Sequence, residues 1–376
     1  MPISITDGWE LSRHFDLTKL AGNNTQMLAM TTSTSQASNA IAIEQIHCTL
    51  DLNFQAKSPI INVTDLGKLN EFHLEISNTN ELRTVVGQIR FPVTALPQGF
   101  IWPEGGAIQQ LQTEGSTWVE AKGVNNENAV VGSSLNSSNQ WIATLWLPDE
   151  QAQLLGTLDG NNSYAIAIND ARLVVGNVSI SPMPSDGEFH HAFFWTNLKG
   201  MQYIHEPGSE RTTAIGVNNR NEVLYWRSIN GIQQTCIWSE ATGSHSILNE
   251  YGRTFYGTAI NDNGVVLGST RDSKGIHHCA IWSMANGFSI LNTPPSFHAT
   301  SIDKHGNVVG FDECSPWIGA WLITVDGRQI PLLTGLKHNI YAQCIAGDAI
   351  FGHARLPDSW KHSHPLRRDI QSSTIA

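Results

Sequence analysis

The segment Ala165-Ile-Ala-Ile-Asn-Asp170, followed after a short turn by Leu173-Val-Val-Gly176, contains the unit that decides the fold. A close copy is Gly257-Thr-Ala-Ile-Asn-Asp262 with Val265-Val-Leu-Gly268. Looser copies bring the number to seven, and their closing residues stand at positions 87, 132, 176, 225, 268, 310 and 352. A spacing of 42 to 49 residues, filled with short strand-like runs, is typical of the blades of a β-propeller.

Each copy begins with a strand whose two faces differ. In the copy at 164–169, Ala165 and Ala167 alternate with Ile166 and Ile168, and this period of two indicates a β-strand. The small face recurs in the other copies and suits an innermost strand, where neighbouring sheets converge. The Asn that ends the strand is predicted to fold its side chain onto the turn. The Gly that closes the second strand indicates a close approach to another backbone.

The third strand of most copies ends in Trp. A large aromatic side chain at a regular place predicts an anchor buried between blades. The residues in this place are Trp102, Trp146, Trp195, Trp238, Trp282 and Trp321.

The two ends of the chain complement each other. Residues 17–24 match residues 155–162 almost position by position, so residues 3–20 resemble a third and fourth strand without a first and second. Residues 341–352 supply a first and second strand, which predicts one blade built from both ends and a closed all-β ring. A degenerate copy at 21–69 brings the expected number of four-stranded blades to about eight.

Seven blades are the alternative, because the copy at 21–69 lacks both the Gly and the Trp, and Trp360 could finish a blade. We expect a single propeller domain over residues 1–356. Residues 357–376 are predicted to form a flexible C-terminal tail.

Two third strands carry a family resemblance. They are His191-Ala-Phe-Phe-Trp195 and His278-Cys-Ala-Ile-Trp282. Together with the Ala-Ile-Asn-Asp and Leu-Gly-Thr-Leu elements, they resemble the bacterial "probable extracellular repeat" family, called HAF after this signature. The resemblance implies a β-propeller-like protein of bacterial type and, by the family's name, an extracellular setting. It implies no catalytic residues. The chain departs from the family pattern at Tyr225, which replaces the closing Gly.

Composition narrows the classes of partner. A net charge of -11 with 15% charged residues argues against nucleic acid and against anionic membranes as partners. No apolar run approaches the ~20 residues that span a bilayer, and residues 1–20 show no Sec-type signal peptide. Five widely spread cysteines indicate reduced, buried thiols. The localisation is therefore left open between the cytoplasm and export by a non-Sec route, and we expect a monomer.

Motifs for metal or catalytic chemistry are weak. The pairs His190-His191 and His277-His278 each offer two ligands, fewer than zinc requires. The Asn-Asp turns lack the spaced acidic residues of a calcium loop. The sequence has no nucleophile elbow, phosphate-binding Gly loop or His-Glu-x-x-His motif. We therefore predict no metal, no cofactor and no assigned catalytic residue.

The best candidate site is the mouth of the ring at which the first strands begin. Aromatic residues recur five positions before the turn Asn, and charged residues stand close by, a mixture that suits ligand recognition. The alternative is that these aromatics cap the packing between blades. The candidate residues are Phe72, Trp118, Glu120, Tyr164, Arg211, Arg253, Tyr256, His298 and Tyr341.

These residues favour a non-enzymatic scaffold that binds a macromolecule, and a protein in particular, at this mouth. One alternative is a lyase or hydrolase at the same place, for which Glu120 and His298 are the mouth residues of suitable type. The other alternative is a lectin, because a ring of Tyr and Trp also suits a glycan.

Overall fold

The computed structural model describes residues 30–32, 46–48, 62–65, 73–90, 96–179, 191–204, 208–247, 254–294, 296–312, 319–332, 339–355 and 363–370. The chain divides into two compact units, Met1–Ser58 and Pro59–Ala376. In the first unit, strands β1 (Met30–Thr32) and β2 (Ile46–Cys48) form an antiparallel pair. In the part of the chain that is described, no helix is long and apolar enough to cross a membrane.

The second unit is an all-β propeller whose described strands form seven four-stranded antiparallel sheets. Blade 1 comprises β4 (His73–Thr79), β5 (Val85–Arg90), β6 (Gln98–Trp102) and β7 (Gln109–Gln110). Blade 2 comprises β8 (Trp118–Val124), β9 (Val130–Leu135), β10 (Trp141–Trp146) and β11 (Gln153–Gly156). Blade 3 comprises β12 (Asn162–Ile168), β13 (Val174–Ser179), β14 (His191–Thr196) and β15 (Gly200–Tyr203).

Three further blades follow the same order. Blade 4 comprises β16 (Arg211–Val217), β17 (Val223–Ile229), β18 (Ile232–Ser239) and β19 (Gly243–Ile247). Blade 5 comprises β20 (Phe255–Ile260), β21 (Val266–Arg271), β22 (His277–Ser283) and β23 (Gly287–Ile290). Blade 6 comprises β24 (Phe297–Ile302), β25 (Val308–Asp312), β26 (Ala320–Ile323) and β27 (Gln329–Pro331). Within each of blades 1–6, consecutive strands are neighbours in the sheet.

Blade 7 closes the ring with strands from both ends of the unit. It comprises β28 (Asn339–Ala346), β29 (Ala349–Arg355), β30 (Ser363–Asp369) and, on the outer edge, β3 (Asn62–Asp65). The first strand of each blade contacts the first strand of the next, and β28 contacts β4 of blade 1. Sharing one sheet between both ends removes an open edge, which is the physical advantage of closure.

The prediction that strands from both ends of the chain close the ring is confirmed, but the N-terminal strand differs from the predicted one. The N-terminal strand of the closing blade is β3, not a pair of strands from residues 3–20, which lie outside the described residues. The copy at 21–69 therefore gives the ring an outer strand rather than an eighth blade, and the alternative of seven blades is confirmed. The predicted tail at 357–376 includes β30, which is hydrogen-bonded to β29 along seven residues. The expected boundary at 356 is wrong, because this strand completes the sheet.

Every inner strand carries a bulge opposite the closing position of the second strand, which is Gly in six blades and Tyr225 in blade 4. In blade 3 the register shifts between Ala165 and Ala167, and the other six blades have the equivalent shift. A Cβ at Gly176 would collide with the main-chain oxygen of Tyr164 and would lie 2.7 Å from the ring of Phe193. The predicted close approach to another backbone is therefore confirmed at the closing glycines, which lie beside the bulge.

The core of the ring consists of separate clusters between neighbouring blades. One cluster contains Val174, Phe193 and Trp195, and Trp146 and Trp282 occupy the same place in two others. Trp102 and Trp238 share the register but are only partly buried. The predicted anchoring role is therefore confirmed for the three buried residues.

The assignment of Trp321 as an equivalent anchor is wrong. It lies opposite Gly310, two residues away from the register of the other anchors, and Ile323 lies opposite Val308 in the anchor place. The sequence could not reveal this shift, because the chain between the second and third strands varies in length from blade to blade.

Candidate functional site at the two mouths of the ring

The ring has two ends, which are named here by the inner strands β4, β8, β12, β16, β20, β24 and β28. The start mouth is the end at which these strands begin, and the turn mouth is the end at which they finish. The sequence placed the candidate site at the start mouth.

At the turn mouth, each of the first six inner strands is followed by a residue that caps its own turn. In blade 3, Asn169 Oδ1 accepts a hydrogen bond of 2.9 Å from the main-chain NH of Leu173. The third residue after the Asn has a left-handed backbone, as Arg172 does with φ of 59°. The equivalent left-handed residues are Arg83, Asn128, Asn221, Gly264 and Gly306. The prediction that the Asn side chain folds onto the turn is confirmed.

The same side chains join neighbouring blades. Asn125 Nδ2 donates to the main-chain oxygen of Asn169 at 3.0 Å, and Asn169 Nδ2 donates to that of Asn218 at 2.9 Å. Three equivalent bonds of 2.8 to 3.0 Å complete a ladder from blade 1 to blade 6. We call its members the turn ring: Asn80, Asn125, Asn169, Asn218, Asn261 and Asp303. In blade 7, Ala346 occupies this place and has no side-chain donor.

A second layer of polar side chains lies beside the turn ring. The main-chain NH groups of Asn126, Asp170 and Asn219 each donate at 2.8 Å to the side-chain oxygen of the next residue in the series, which ends at Asp262. Lys304 Nζ lies 2.9 Å from Glu81 Oε2, so an ion pair joins blade 6 to blade 1 across blade 7.

A central cavity of about 190 Å³ opens at the turn mouth, lined by both polar layers and by inner-strand residues such as Ile260 and Ile302. Its carboxylates are already engaged. Asp170 Oδ2 accepts 2.9 Å hydrogen bonds from the side-chain amides of Asn126 and Asn219. The sequence did not predict this cavity. We interpret its polar lining as a structural lattice, because these groups satisfy one another.

At the start mouth, one residue of each inner strand, five positions before the turn residue, recurs around the ring. We call this set the start ring: Glu75, Glu120, Tyr164, Thr213, Tyr256, His298 and Tyr341. His298 is exposed and the other six are partly exposed. By contrast, the next residue along each strand, such as Ala121 or Ala165, is buried in six of the seven blades.

The assignment of Phe72 to this set is wrong. In the structure, Ile76 pairs with Gly87 just as Ala121 pairs with Gly132, so Glu75 is the member in blade 1. The signal was present in the sequence, because Asn80 precedes Gly87 by the same interval that separates the other turn residues from their closing residues. Phe72 and Arg253 lie outside the described residues.

One aromatic cluster spans blades 2 and 3 at the start mouth. The ring centroids of Trp118 and Trp141 are 5.3 Å apart, and those of Trp141 and Tyr164 are 5.9 Å apart. All three side chains are partly exposed. Burial first, and then the charge of Glu120, raise the pKa of Tyr164 to about 12. Glu120 itself forms an ion pair of 3.4 Å with Lys122.

A second aromatic cluster spans blades 6 and 7. His298 stacks on Phe311 with centroids 5.5 Å apart, and Tyr341 stacks on His353 at 4.9 Å. Phe311 and Tyr341 join the two pairs edge to face at 5.0 Å. The start mouth therefore contains two clusters of aromatic side chains in different parts of the ring.

The structure thus brings together some of the predicted residues and separates others. Trp118, Glu120 and Tyr164 are neighbours, and Phe311 connects His298 to Tyr341. Tyr256 and Arg211 are partly exposed in blades 5 and 4.

Sequence reasoning missed Trp141, Phe311 and His353. The last two follow the closing Gly directly and pair with start-ring residues across the sheet. Cross-strand pairing beside the bulge is therefore the signal that would have found Phe311 and His353.

The sequence matches no family model and no curated protein. Solved structures share the fold at low identity. Oligogalacturonate lyase from Vibrio parahaemolyticus aligns with a TM-score of 0.61 at 11% identity, over 94% of this chain and 100% of that chain. The propeller domain of the Trilobed protease from Pyrococcus furiosus aligns with 0.57 at 12%, over 80% and 96%.

Puromycin hydrolase aligns with 0.56 at 9% identity, over 81% of this chain. This chain spans about half of that enzyme, 52% of its length. At such identities these likenesses show the propeller fold alone. The resemblance to the HAF family stays a prediction.

Proposed function

We propose that this protein is a non-enzymatic propeller that binds another protein at the start mouth, through the start ring and its two aromatic clusters. The observation that carries the proposal is that large aromatic side chains at this mouth keep part of their surface accessible.

The contrast with aromatic residues elsewhere in the blades supports this interpretation. Phe193 and Phe255, which pack between blades, are 0% and 1% exposed. Tyr164, Tyr256 and Tyr341, at the start mouth, all remain partly exposed. Partly exposed Tyr and Trp side chains combine apolar area with few rotatable bonds, and such residues are enriched in the energetic centres of protein interfaces.

The charges at this mouth indicate the kind of surface that would fit. Glu75 and Glu120 belong to the start ring, and the whole chain has a net charge of -11. Glu75 and Glu120 already pair with Arg90 and Lys122, so it is the aromatic faces that favour Arg and Lys side chains, since a cation is attracted to the face of an aromatic ring. A partner segment with basic and apolar residues is therefore the best match for the cluster formed by Trp118, Trp141 and Tyr164.

The two acid–base candidates of the enzyme alternative do not support a shared catalytic centre. Glu120 belongs to blade 2 and His298 to blade 6, and these blades are not adjacent in the ring. General acid–base catalysis needs both groups within hydrogen-bond reach of one substrate.

The proposal can be tested by comparing capture of a partner by the wild-type protein and by a variant with His298→Ala and Tyr341→Ala. A protein retained from a lysate of the source cells would be identified by mass spectrometry, purified, and titrated by calorimetry. We expect binding to weaken at least about tenfold, the usual loss at an interface hot spot. The melting temperature should change by only a few degrees, because both side chains are accessible.

Leu198→Ala is the matched control. Leu198 is 91% exposed between β14 and β15, so its loss should change neither stability nor binding. Equal binding by all three proteins would refute the start mouth as the interface. Release of the retained material by free sugars would support the lectin alternative instead.

A further inference from the structure

Arg368 occupies a place in blade 7 that Trp occupies in other blades. It lies opposite Ile350, as Trp195 lies opposite Val174 in blade 3. The charged guanidinium of Arg368 therefore lies where other blades have the indole ring of a Trp.

The surroundings of Arg368 are apolar. The residue is 2% exposed and lies against Leu332, Ile340 and Leu366 beside a cavity of about 10 Å³ between blades 6 and 7. Its Nε, Nη1 and Nη2 atoms have no hydrogen-bond partner among the residues that the structure describes. Burial lowers the pKa of Arg368 to about 10, so the group is still protonated at neutral pH.

The adjacent Arg367 has the kind of acidic partners that Arg368 lacks among the described residues. Arg367 points to the other side of β30, where Glu104 lies 2.6 Å and Asp369 2.8 Å from its guanidinium. Because a buried charge without a counter-charge strongly opposes folding, buried guanidinium groups are normally paired and hydrogen-bonded.

We propose that Arg368 binds a small monovalent anion, chloride, in this cavity between blades 6 and 7. The cavity is small, so it admits one compact ion but not a carboxylate or phosphate group carried by a larger molecule. The guanidinium supplies several donors in one plane, and the apolar walls keep bulk water from screening the attraction.

The test uses the melting temperature of the full chain in sodium chloride and in sodium gluconate at equal ionic strength. Binding to the folded state alone should raise the ratio of folded to unfolded protein about tenfold for each tenfold increase in chloride above the dissociation constant. Gluconate is too large for the cavity and should give no such rise. Bromide should replace chloride.

Two variants separate this site from a general salt effect. Arg368→Met should abolish the difference between chloride and gluconate. Arg172→Met changes an exposed arginine paired with Glu127 and should keep the difference of the wild-type protein. An equal response of wild-type protein to both salts would overturn the proposal and would indicate water or another group of the chain as the partner. A chloride response retained in Arg368→Met would overturn it as well.

If Arg368→Met fails to fold, wild-type crystals soaked in bromide decide the question. An anomalous peak within hydrogen-bond distance of the guanidinium is expected, and its absence at saturating bromide would refute the site.

Discussion

Asn125 Nδ2 donates a 3.0 Å hydrogen bond to the main-chain oxygen of Asn169 in the next blade. The Oδ1 atom of the same side chain accepts from the NH groups of Glu127 and Ala129 in its own turn, at 3.1 and 2.9 Å. One amide group therefore performs two tasks. Its oxygen shapes the turn that reverses the chain, and its nitrogen fixes the position of the next blade.

Asn125→Asp separates these two tasks. Aspartate keeps the oxygen that caps the turn but loses the donor, so the buried oxygen of Asn169 keeps only its 3.0 Å hydrogen bond from the main-chain NH of Arg172 and faces a carboxylate. We expect a loss of about 0.5–1.5 kcal/mol in the free energy of unfolding, measured by denaturant titration. Asn136→Asp is the control, because Asn136 caps an exposed turn through the same kind of bonds from Ser138 and Gln140. An equal loss in both variants would show that the bond between blades contributes nothing.

Gly176→Ala tests the bulge of blade 3. The added Cβ would meet the oxygen of Tyr164 and the ring of Phe193, so the variant should lose about 1–3 kcal/mol or more through overpacking. In Gly216→Ala the nearest heavy atom to the Cβ is Cγ2 of Ile260 at 3.8 Å, and stability should stay within about 0.5 kcal/mol of the wild type. Thermal unfolding of both variants measures the difference. An unchanged stability of Gly176→Ala would contradict the explanation of the closing Gly in blade 3.

Trp195→Ala and Trp321→Ala test the register of the third strands. Trp195 is 5% exposed in the cluster between blades, so its truncation should cost roughly 3–5 kcal/mol. Trp321 is partly exposed and lies outside the anchor register, so its truncation should cost less. Chemical denaturation of the two variants gives the comparison. A larger loss at Trp321 would refute the assignment of Ile323 to the anchor place.

Truncation after residue 357 tests the closure of the ring. It removes β30, leaves β3 without a partner strand and exposes the edge of β29, so we expect a lower melting temperature and aggregation. Deletion of residues 1–20 is the comparison, because β3 already supplies the fourth strand of blade 7. That deletion should leave the melting temperature of the propeller unchanged. A larger fall in melting temperature after deletion of residues 1–20 than after truncation at residue 357 would instead support residues 3–20 as the closing strands.

The titration of Tyr164 gives a pH-dependent prediction. Its pKa is raised to about 12 from an ordinary value of 10.0, so the folded state favours the neutral phenol. The stabilisation is complete below pH 10 and is lost as the pH rises towards 12. Tyr164→Phe should therefore flatten the fall in melting temperature over this interval. In Glu120→Gln, ultraviolet titration should show Tyr164 ionising at a lower pH, since one cause of the shift is gone. An unchanged titration would show that Glu120 does not contribute to the raised pKa of Tyr164.

The register of the blades marks the limit of what could be predicted for the site. Tyr164, Tyr256, His298 and Tyr341 were found from the sequence because their distance from the turn residue is constant along one strand. Glu75 was missed because the first copy was aligned on the wrong residue. Trp141 and Phe311 were missed because they reach the start mouth from neighbouring strands, and their position depends on cross-strand pairing.

The propeller fold, the turn residues and the closing glycines could be predicted from the amino-acid sequence, because period-two alternation, turn capping and backbone freedom are local properties of a few consecutive residues. The number of blades, the closure of the ring by Asn62–Asp65 and the replacement of a Trp anchor by Arg368 emerged only from the folded chain. These features depend on which strand meets which across loops of variable length. Pairing of that kind is set by burial and hydrogen bonding between residues far apart in the chain, which no local pattern records.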